Sequence, residues 1–355
     1  MLMHLTKQSR SVKCLLLALV IFGSGLPAST AWTKPGKPGG GTGGGGTVNY
    51  AFAYQENSTG DLYLMTVDGS IKTKLTGSGK GTDLAPAWSP DMDKNQPGHQ
   101  GWIAFFRQYD PRYIWGGIYV VPSDLSAGPV EIRSYKTLDP MPPSGESLCW
   151  TPDGRFIVYA SDYDRFSAVS LATGQVTLLF ATSAYNYDPS LSPDVDPLTP
   201  GYQGMLAFSS GLDIFTAPVT VDVSGQWTVG ALTNLTQSNG IEERHPVWSP
   251  DGATLAYDRE VSNSDRTLNI LDVASRESFP VVSVYPQNVR ATWSPDGQFL
   301  GYWDAREASP GKWTTDLFYV SPWDELPVVN VTKTDSSTAS ERFPDWNPAW
   351  VNSLP

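Results

Sequence analysis

Past the first 31 residues the only histidines are His99 and His245. A three-histidine metal site is therefore impossible, and a histidine-dependent triad would have to use one of two scattered residues. No Gly-x-Ser-x-Gly elbow and no phosphate loop is present. Acidic residues are plentiful, so composition leaves room for a two-carboxylate glycosidase, although most Asp and Glu fall in turns that a repeat accounts for. Two segments resemble the start of an ion-binding loop. Asp91-Met92-Asp93-Lys94-Asn95-Gln96-Pro97-Gly98-His99-Gln100-Gly101 matches Asp194-Val195-Asp196-Pro197-Leu198-Thr199-Pro200-Gly201-Tyr202-Gln203-Gly204 in length and register. Alternate oxygen side chains can converge on calcium. The second copy lacks the third ligand, however, and neither has the distant Glu. The shared Pro-Gly-x-Gln-Gly favours a lengthened hairpin, so no metal and no other cofactor is expected. Cys149, beside Trp150 in an apolar run, reads as a small buried hydrophobe rather than a nucleophile.

The elements that position these residues repeat. Trp88-Ser89-Pro90-Asp91, Trp150-Thr151-Pro152-Asp153, Leu191-Ser192-Pro193-Asp194, Trp248-Ser249-Pro250-Asp251, Trp293-Ser294-Pro295-Asp296 and the variant Trp346-Asn347-Pro348-Ala349 each introduce a fresh pair of strands. Self-similarity at about forty to sixty residues marks an array of like units. In the Trp248 copy a short strand ends at Trp248, Ser249-Pro250-Asp251-Gly252 turns, and Thr254-Leu255-Ala256-Tyr257 returns. Pro presets φ at the second turn position and Gly accepts the positive φ that closes the hairpin. Two further strands follow, and Pro280 suits the outer one, at a sheet edge. Four antiparallel strands repeated about a ring predict an all-β, six-bladed β-propeller. The first blade is split: Tyr50–Tyr54, Asp61–Met65 and Lys72–Leu75 lack a first strand, which Pro344–Trp350 supplies, so the N- and C-terminal segments close the ring. The Trp anchors share one phase, which predicts packing between sheets rather than a sugar-binding ladder.

Residues just before each anchor are predicted to lie on loops that converge on one mouth of the channel. They are Asp83, Glu146, Tyr187 with Asp188, Arg244 with His245, Arg290, and Arg342. Loops carry function more often than the strands that hold them. Acidic and Tyr groups come from blades II to IV, and Arg from blades V, VI and I, an arrangement suited to orienting a dipolar or peptide-like partner.

The ends add an address. Lys7, Arg10 and Lys13 precede an apolar run from Cys14 to Phe22, and Ser29-Thr30-Ala31 has the small residues of a cleavage site. Residues 1–31 are thus expected to be a signal peptide, and the run is too short for a spanning helix of about 20 residues. Residues 32–47, rich in Gly and Pro, read as a flexible linker, and 48–355 as the propeller. A soluble periplasmic or extracellular protein with no transmembrane segment in its mature form is expected, as a monomer. Its 36 acidic groups against 21 basic ones give a mature charge of about −15, which disfavours nucleic acid as a partner.

A strand, Trp-Ser-Pro-Asp-Gly, an apolar strand, then Asp-Leu-Tyr or Asp-Ile-Phe resembles the propeller repeats of the TolB family, over essentially all of residues 48–355. The resemblance extends to the propeller portion, with the Gly-rich linker standing where TolB has an α/β domain. It implies an envelope protein with a protein-binding habit. The leading expectation is a non-enzymatic scaffold for a protein or peptide partner in the envelope. The rival is a polysaccharide-acting lyase or glycosidase with its site at the channel mouth. Asn57-Ser58-Thr59, Asn234-Leu235-Thr236 and Asn330-Val331-Thr332 match the glycosylation triplet, which acts in a eukaryotic host.

Overall fold

A computed structural model describes residues 48–77, 79, 81–90, 101–110, 115–135, 147–161, 164–262, 265–285, 289–333 and 341–350. Glu146, the leader, the linker and most of the blade II insertion lie outside the described residues. Six antiparallel sheets account for the described strands. Blade II runs Thr82–Trp88, Trp102–Asp110, Trp115–Pro122 and Val130–Tyr135. Blade III runs Leu148–Trp150, Phe156–Ala160, Arg165–Ser170 and Val176–Ala181. In blade IV Asn186–Leu191, Tyr202–Ser210 and Asp213–Val221 are followed by an outer strand in two pieces, Trp227–Val229 and Thr233–Asn234. Blade V comprises Glu242–Trp248, Thr254–Ser262, Asp265–Asp272 and Ser278–Val284, and blade VI Ala291–Trp293, Leu300–Ser309, Lys312–Val320 and Val329–Asn330. Blade I joins the two ends of the chain: Glu341–Trp346 pairs with Tyr50–Glu56, which pairs in turn with Asp61–Thr66 and Lys72–Lys74. The six first strands touch one another in a closed circle and are therefore the inner strands that line the channel.

The Ser-Pro-Asp-Gly turn is a self-contained hydrogen-bonded unit. Ser249 Oγ donates to Asp251 Oδ1 (2.6 Å), which also accepts the Ala253 N–H, while Ser249 Oγ accepts from Thr254 N. Gly252, at φ 72°, donates to Ser249 O. Thr151/Asp153 and Ser294/Asp296 repeat this pattern. In the lengthened hairpin of blade IV, Ser192 Oγ instead accepts from Met205 N, as Ser89 Oγ does from Trp102 N in blade II. A Cβ at Gly204 would lie 2.6 Å from Ser192 Oγ, and one at Gly101 2.5 Å from Ser89 Oγ. That close approach explains the final Gly of both insertions. In the blade IV insertion, Asp194 Oδ1 accepts the amides of Asp196 and Gln203, and Asp196 Oδ2 accepts the Thr199 hydroxyl. Its carboxylates thus cap their own hairpin.

The core lies between blades, not within them. Each of six buried clusters combines residues of two neighbouring blades. Trp88, Trp150, Trp248, Trp293 and Trp346 are buried, each in its own cluster. The indole of Trp150 donates to Ala87 O (2.8 Å), that of Trp293 to Val247 O and that of Trp88 to Asp345 O, always one blade back. A second contact runs from the anchor's amide to the preceding blade. Trp88 N donates to Asp345 Oδ2, Leu191 N to Cys149 Sγ, Trp248 N to Ser190 Oγ and Trp346 N to Thr292 Oγ1. Between them these bonds bridge all six interfaces. Cys149 is thereby a hydrogen-bonded wall residue, and burial pushes its thiol up to about 12.

Candidate functional site

Four inner strands carry the same distortion. Ala85, Asp188, His245 and Phe343 have φ between 51° and 57°, and each precedes a proline. The left-handed region is costly for a non-Gly residue, and a following Pro restricts the backbone further. Strand register slips at each of these points. Such bulges re-aim side chains, and backbone strain of this kind concentrates at functional sites. All four residues line the central cavity, of about 1100 Å³.

There Asp188, His245 and Arg290 meet. Arg290 Nη2 of blade VI reaches past blade V to Asp188 Oδ1 of blade IV (2.6 Å), and Ser147 Oγ of blade III donates to the same oxygen (3.1 Å). His245 Nε2 lies 3.4 Å from Asp188 Oδ2, and its Nδ1 lies 2.6 Å from Asp258 Oδ1. Asp258 Oδ2 takes Arg266, which also holds Glu260 (2.6 Å) and Glu242 (3.4 Å). The Arg290 guanidinium stacks on Phe343 of blade I at 5.2 Å. Side chains from five blades thus meet in one layer across the channel. Burial alone would raise Asp188, but the pull of His245, Arg290 and Arg244 holds its carboxyl below the usual range.

This layer is the floor of the cavity. The walls are the inner strands, including Leu148, Ala291 and the edges of the Trp anchors, and the mouth is ringed by the turn prolines. Antiparallel alternation puts the first and third hairpin turns of every blade at this turn end. The blade-to-blade crossings lie at the opposite, crossover end. The sequence places its site residues on loops at a crossover mouth, whereas the bulges draw Asp188 and His245 inside the channel, where Arg290 reaches them from the undistorted inner strand of blade VI. Tyr187, Arg244 and Arg342 are not among the cavity-lining residues. Arg244 stacks on Tyr187 (5.0 Å) and pairs with Glu242, and Arg342 stacks on Trp303 (5.3 Å). Asp83 is 0% exposed and bound in a fork by Arg107 at 2.6 and 2.9 Å, so it serves the wall of blade II.

Asp258, Arg266 and Ser147 are site residues that the sequence reasoning missed. A signal existed for Asp258: it stands one place after the Tyr257 anchor of its strand, where the aligned strands of blades II, III and VI carry Phe106, Ala160 and Trp303. Two of the three glycosylation triplets serve a different purpose. Asn234 Nδ2 donates to Asp213 and Asn330 Nδ2 to Asp316, while Thr236 and Thr332 hydroxyls accept the amides of Ile214 and Leu317. They fasten outer strands to third strands.

Among the described residues, every carboxylate on the cavity wall is engaged within the protein. Asp153 takes Thr151 and Arg155, Asp194 two amides, Asp345 the Trp88 amide and the Thr292 hydroxyl, and Asp188 the floor cluster. Among the described residues no group of three or more His, Cys, Asp or Glu is disposed to hold a metal ion, and no helix is long and apolar enough to cross a membrane.

No protein-family model matches the sequence, and no curated protein matches it. Solved structures do match the fold. TolB from Acinetobacter baumannii is 19% identical with a TM-score of 0.58, over 85% of this chain and 67% of that one. A TolB-type protein from Agrobacterium tumefaciens is 15% identical with a TM-score of 0.49, over 81% and 89%. An oligogalacturonate lyase from Vibrio parahaemolyticus is 14% identical with a TM-score of 0.44, over 76% and 70%. The chain has the six-bladed propeller architecture of TolB, and at these identities the likeness is one of fold.

Proposed function

We propose that this protein is a non-enzymatic β-propeller scaffold of the cell envelope that receives a segment of a protein partner in its channel. The observation that carries the reading is the blind cup: a cavity of about 1100 Å³ with largely apolar walls and a floor of mutually satisfied charges. Pockets of this size with a few placed polar groups suit a ligand segment. General acid–base catalysis requires a carboxyl free to exchange a proton with substrate, whereas those on the wall are spent on the fold. Asp188, His245 and Arg290 contact the partner's tip in this reading. Tyr187, Arg244 and Arg342 hold the floor from behind.

One observation favours a lyase or glycosidase as a second reading. Burial pushes Asp345, on the channel wall, up to about 6, while Asp188 is held low, and such divergence is how acid and base roles are assigned. Both Asp345 oxygens accept bonds from neighbouring blades, which weighs against it.

The test is capture from an envelope extract, followed by hydrogen–deuterium exchange of the purified complex, comparing wild type with Ala291→Trp, which fills the cup. Protection centred on the inner strands in wild type, with capture lost in the folded variant, is the expected result. Undiminished capture by Ala291→Trp would reject the reading. Release of unsaturated or reducing ends from a polysaccharide, abolished by Asp345→Asn, would establish the second one.

A further inference from the structure

The charge of this acidic protein is unevenly placed. At the turn end, every blade contributes an acidic residue: Asp68, Asp124, Asp153, Asp222, Asp251 and Asp296 in blades I to VI. Basic residues in the described turns of this end are Arg155 and Arg276, and Arg155 is held by Asp153 at 2.6 Å. Hydrogen bonds from turn hydroxyls and amides keep Asp68, Asp222, Asp251 and Asp272 below the usual carboxylate range, so these four stay charged in mild acid. The crossover end differs, with Arg244, Arg266 and Arg306 interleaved among its carboxylates in ion pairs.

Large apolar side chains stand exposed at the same turn end. Leu198, at the tip of the blade IV hairpin, is 93% exposed, and Val195, Val223, Trp323 and Leu326 are each at least half exposed. Pro197 and Pro200 of that hairpin line the cup, so Leu198 stands at its lip. Isolated exposed apolar residues are ordinary, but here Val195 and Leu198 share the hairpin at the lip, and Val223, Trp323 and Leu326 lie on third hairpin turns of the same end. Apolar side chains grouped on one face mark an interaction site. Electrostatic complementarity then selects the partner.

We infer that the turn end receives a basic, amphipathic segment of a partner protein, its apolar side chain in the cup and its Lys or Arg side chains against the ring of turn carboxylates. The inference rests on the channel being the binding site and adds the partner's chemistry and its direction of approach. An acidic segment would face like charge at the mouth. The floor, whose Arg and His are already paired, offers it little return.

The experiment measures fluorescence anisotropy of three short labelled peptides of equal length, alternating Lys/Leu, Lys/Gly and Glu/Leu, against the full-length protein. Lys/Leu is expected to bind, Lys/Gly at least about tenfold more weakly, and Glu/Leu not at all. Replacing Asp124, Asp222 and Asp251 by Asn keeps the side-chain oxygen that each turn needs. This triple variant is expected to lose about tenfold in affinity for Lys/Leu and to flatten its salt dependence. A matched triple at the crossover end, Glu56→Gln, Asp164→Asn and Glu307→Gln, is expected to change neither. Equal losses from the two triples, or preference for Glu/Leu, would overturn the inference. If a captured envelope partner still protects the inner strands from exchange in that case, the channel reading stands and the basic partner falls. If neither peptide nor partner protects those strands, both fall.

Discussion

The strand that closes the ring carries two carboxyls that resist ionisation, and this makes closure sensitive to pH. Asp345 is raised from 3.8 to about 6 by burial, although Trp88 N and Thr292 Oγ1 both donate to it. Burial likewise raises Glu341 from 4.5 to about 7, despite Lys72 at 3.2 Å. A folded-state value above the unfolded one contributes stability that is complete below the unfolded value and is lost as pH rises through the folded one. For these two groups the window runs from about pH 4 to about pH 7. At about 1.4 kcal/mol per pH unit, each costs the folded ring on the order of 3 kcal/mol at pH 8 relative to pH 4. Asp345→Asn removes this cost while preserving the contacts, since the amide oxygen faces Trp88 N–H and the amide nitrogen faces Thr292 Oγ1. The assay is urea unfolding followed by tryptophan fluorescence from pH 4.5 to 8.5. Because the wild-type curve sums every titrating group, the difference between variant and wild type isolates Asp345. That difference is expected to grow from about 1 kcal/mol at pH 4.5 to about 3 kcal/mol in favour of the variant at pH 8. A uniform loss of stability across the range would refute the reasoning, because Asp345 would then be acting as a paired carboxylate.

Deleting residues 343–355 should destabilise the whole domain, since it removes most of the inner strand of blade I and bares the edge of Tyr50–Glu56; an unchanged melting temperature would exclude closure by the termini. Gly204→Ala is expected to cost on the order of 1–3 kcal/mol through its clash with the Tyr202 and Ser192 hydroxyls, measured by thermal unfolding, against a few tenths for Gly128→Ser at an open turn with ordinary φ. Adding calcium or a chelator should leave the melting temperature unchanged, and a calcium-dependent rise that Asp93→Ala abolishes would make Asp91, Asp93 and Asn95 ligands. Trp150→Phe is expected to lose about 1 kcal/mol for its bond to Ala87 O beyond the loss of ring area, whereas Trp248→Phe should show the area loss without that term.

The six-fold repeat, the four-stranded blades and the split first blade were legible because each rests on local chemistry that the chain restates. Ser or Thr, Pro, Asp and Gly close the same turn in blades III, V and VI, and the shared phase of the Trp anchors marks them as packing between sheets. The site was legible in part. Asp188, His245 and Arg290 could be picked out as non-repeating residues before an anchor. The descent of Asp188 and His245 into the channel could not, because it depends on a left-handed residue before proline, which local preference argues against. Asp83 stands five places before its anchor, as the buried Asn186, Glu243 and Glu341 do in their blades, so it points into the wall, where Arg107 on the next strand holds it. Pairings such as Arg290 with Asp188 join residues 102 positions apart, and only the closed ring brings them together.

Placing every apolar cluster between neighbours also sets the order in which the molecule can mature. A chain made from its N-terminus presents Tyr50–Glu56 with no inner partner until Glu341–Trp346 has been made. Blades II to VI can stack on one another in sequence, as nearest-neighbour units do. The flank of blade I that faces blade VI, however, stays uncovered to the end, and closing so long a loop is slow relative to local pairing. The final strand is thus a latch, and its arrival converts an open, adhesive arc into a ring. Until then the inner edge of Tyr50–Glu56 is a template for the wrong strand. Newly made chains at high concentration should therefore exchange closing strands with one another, yielding linked rings in place of single ones.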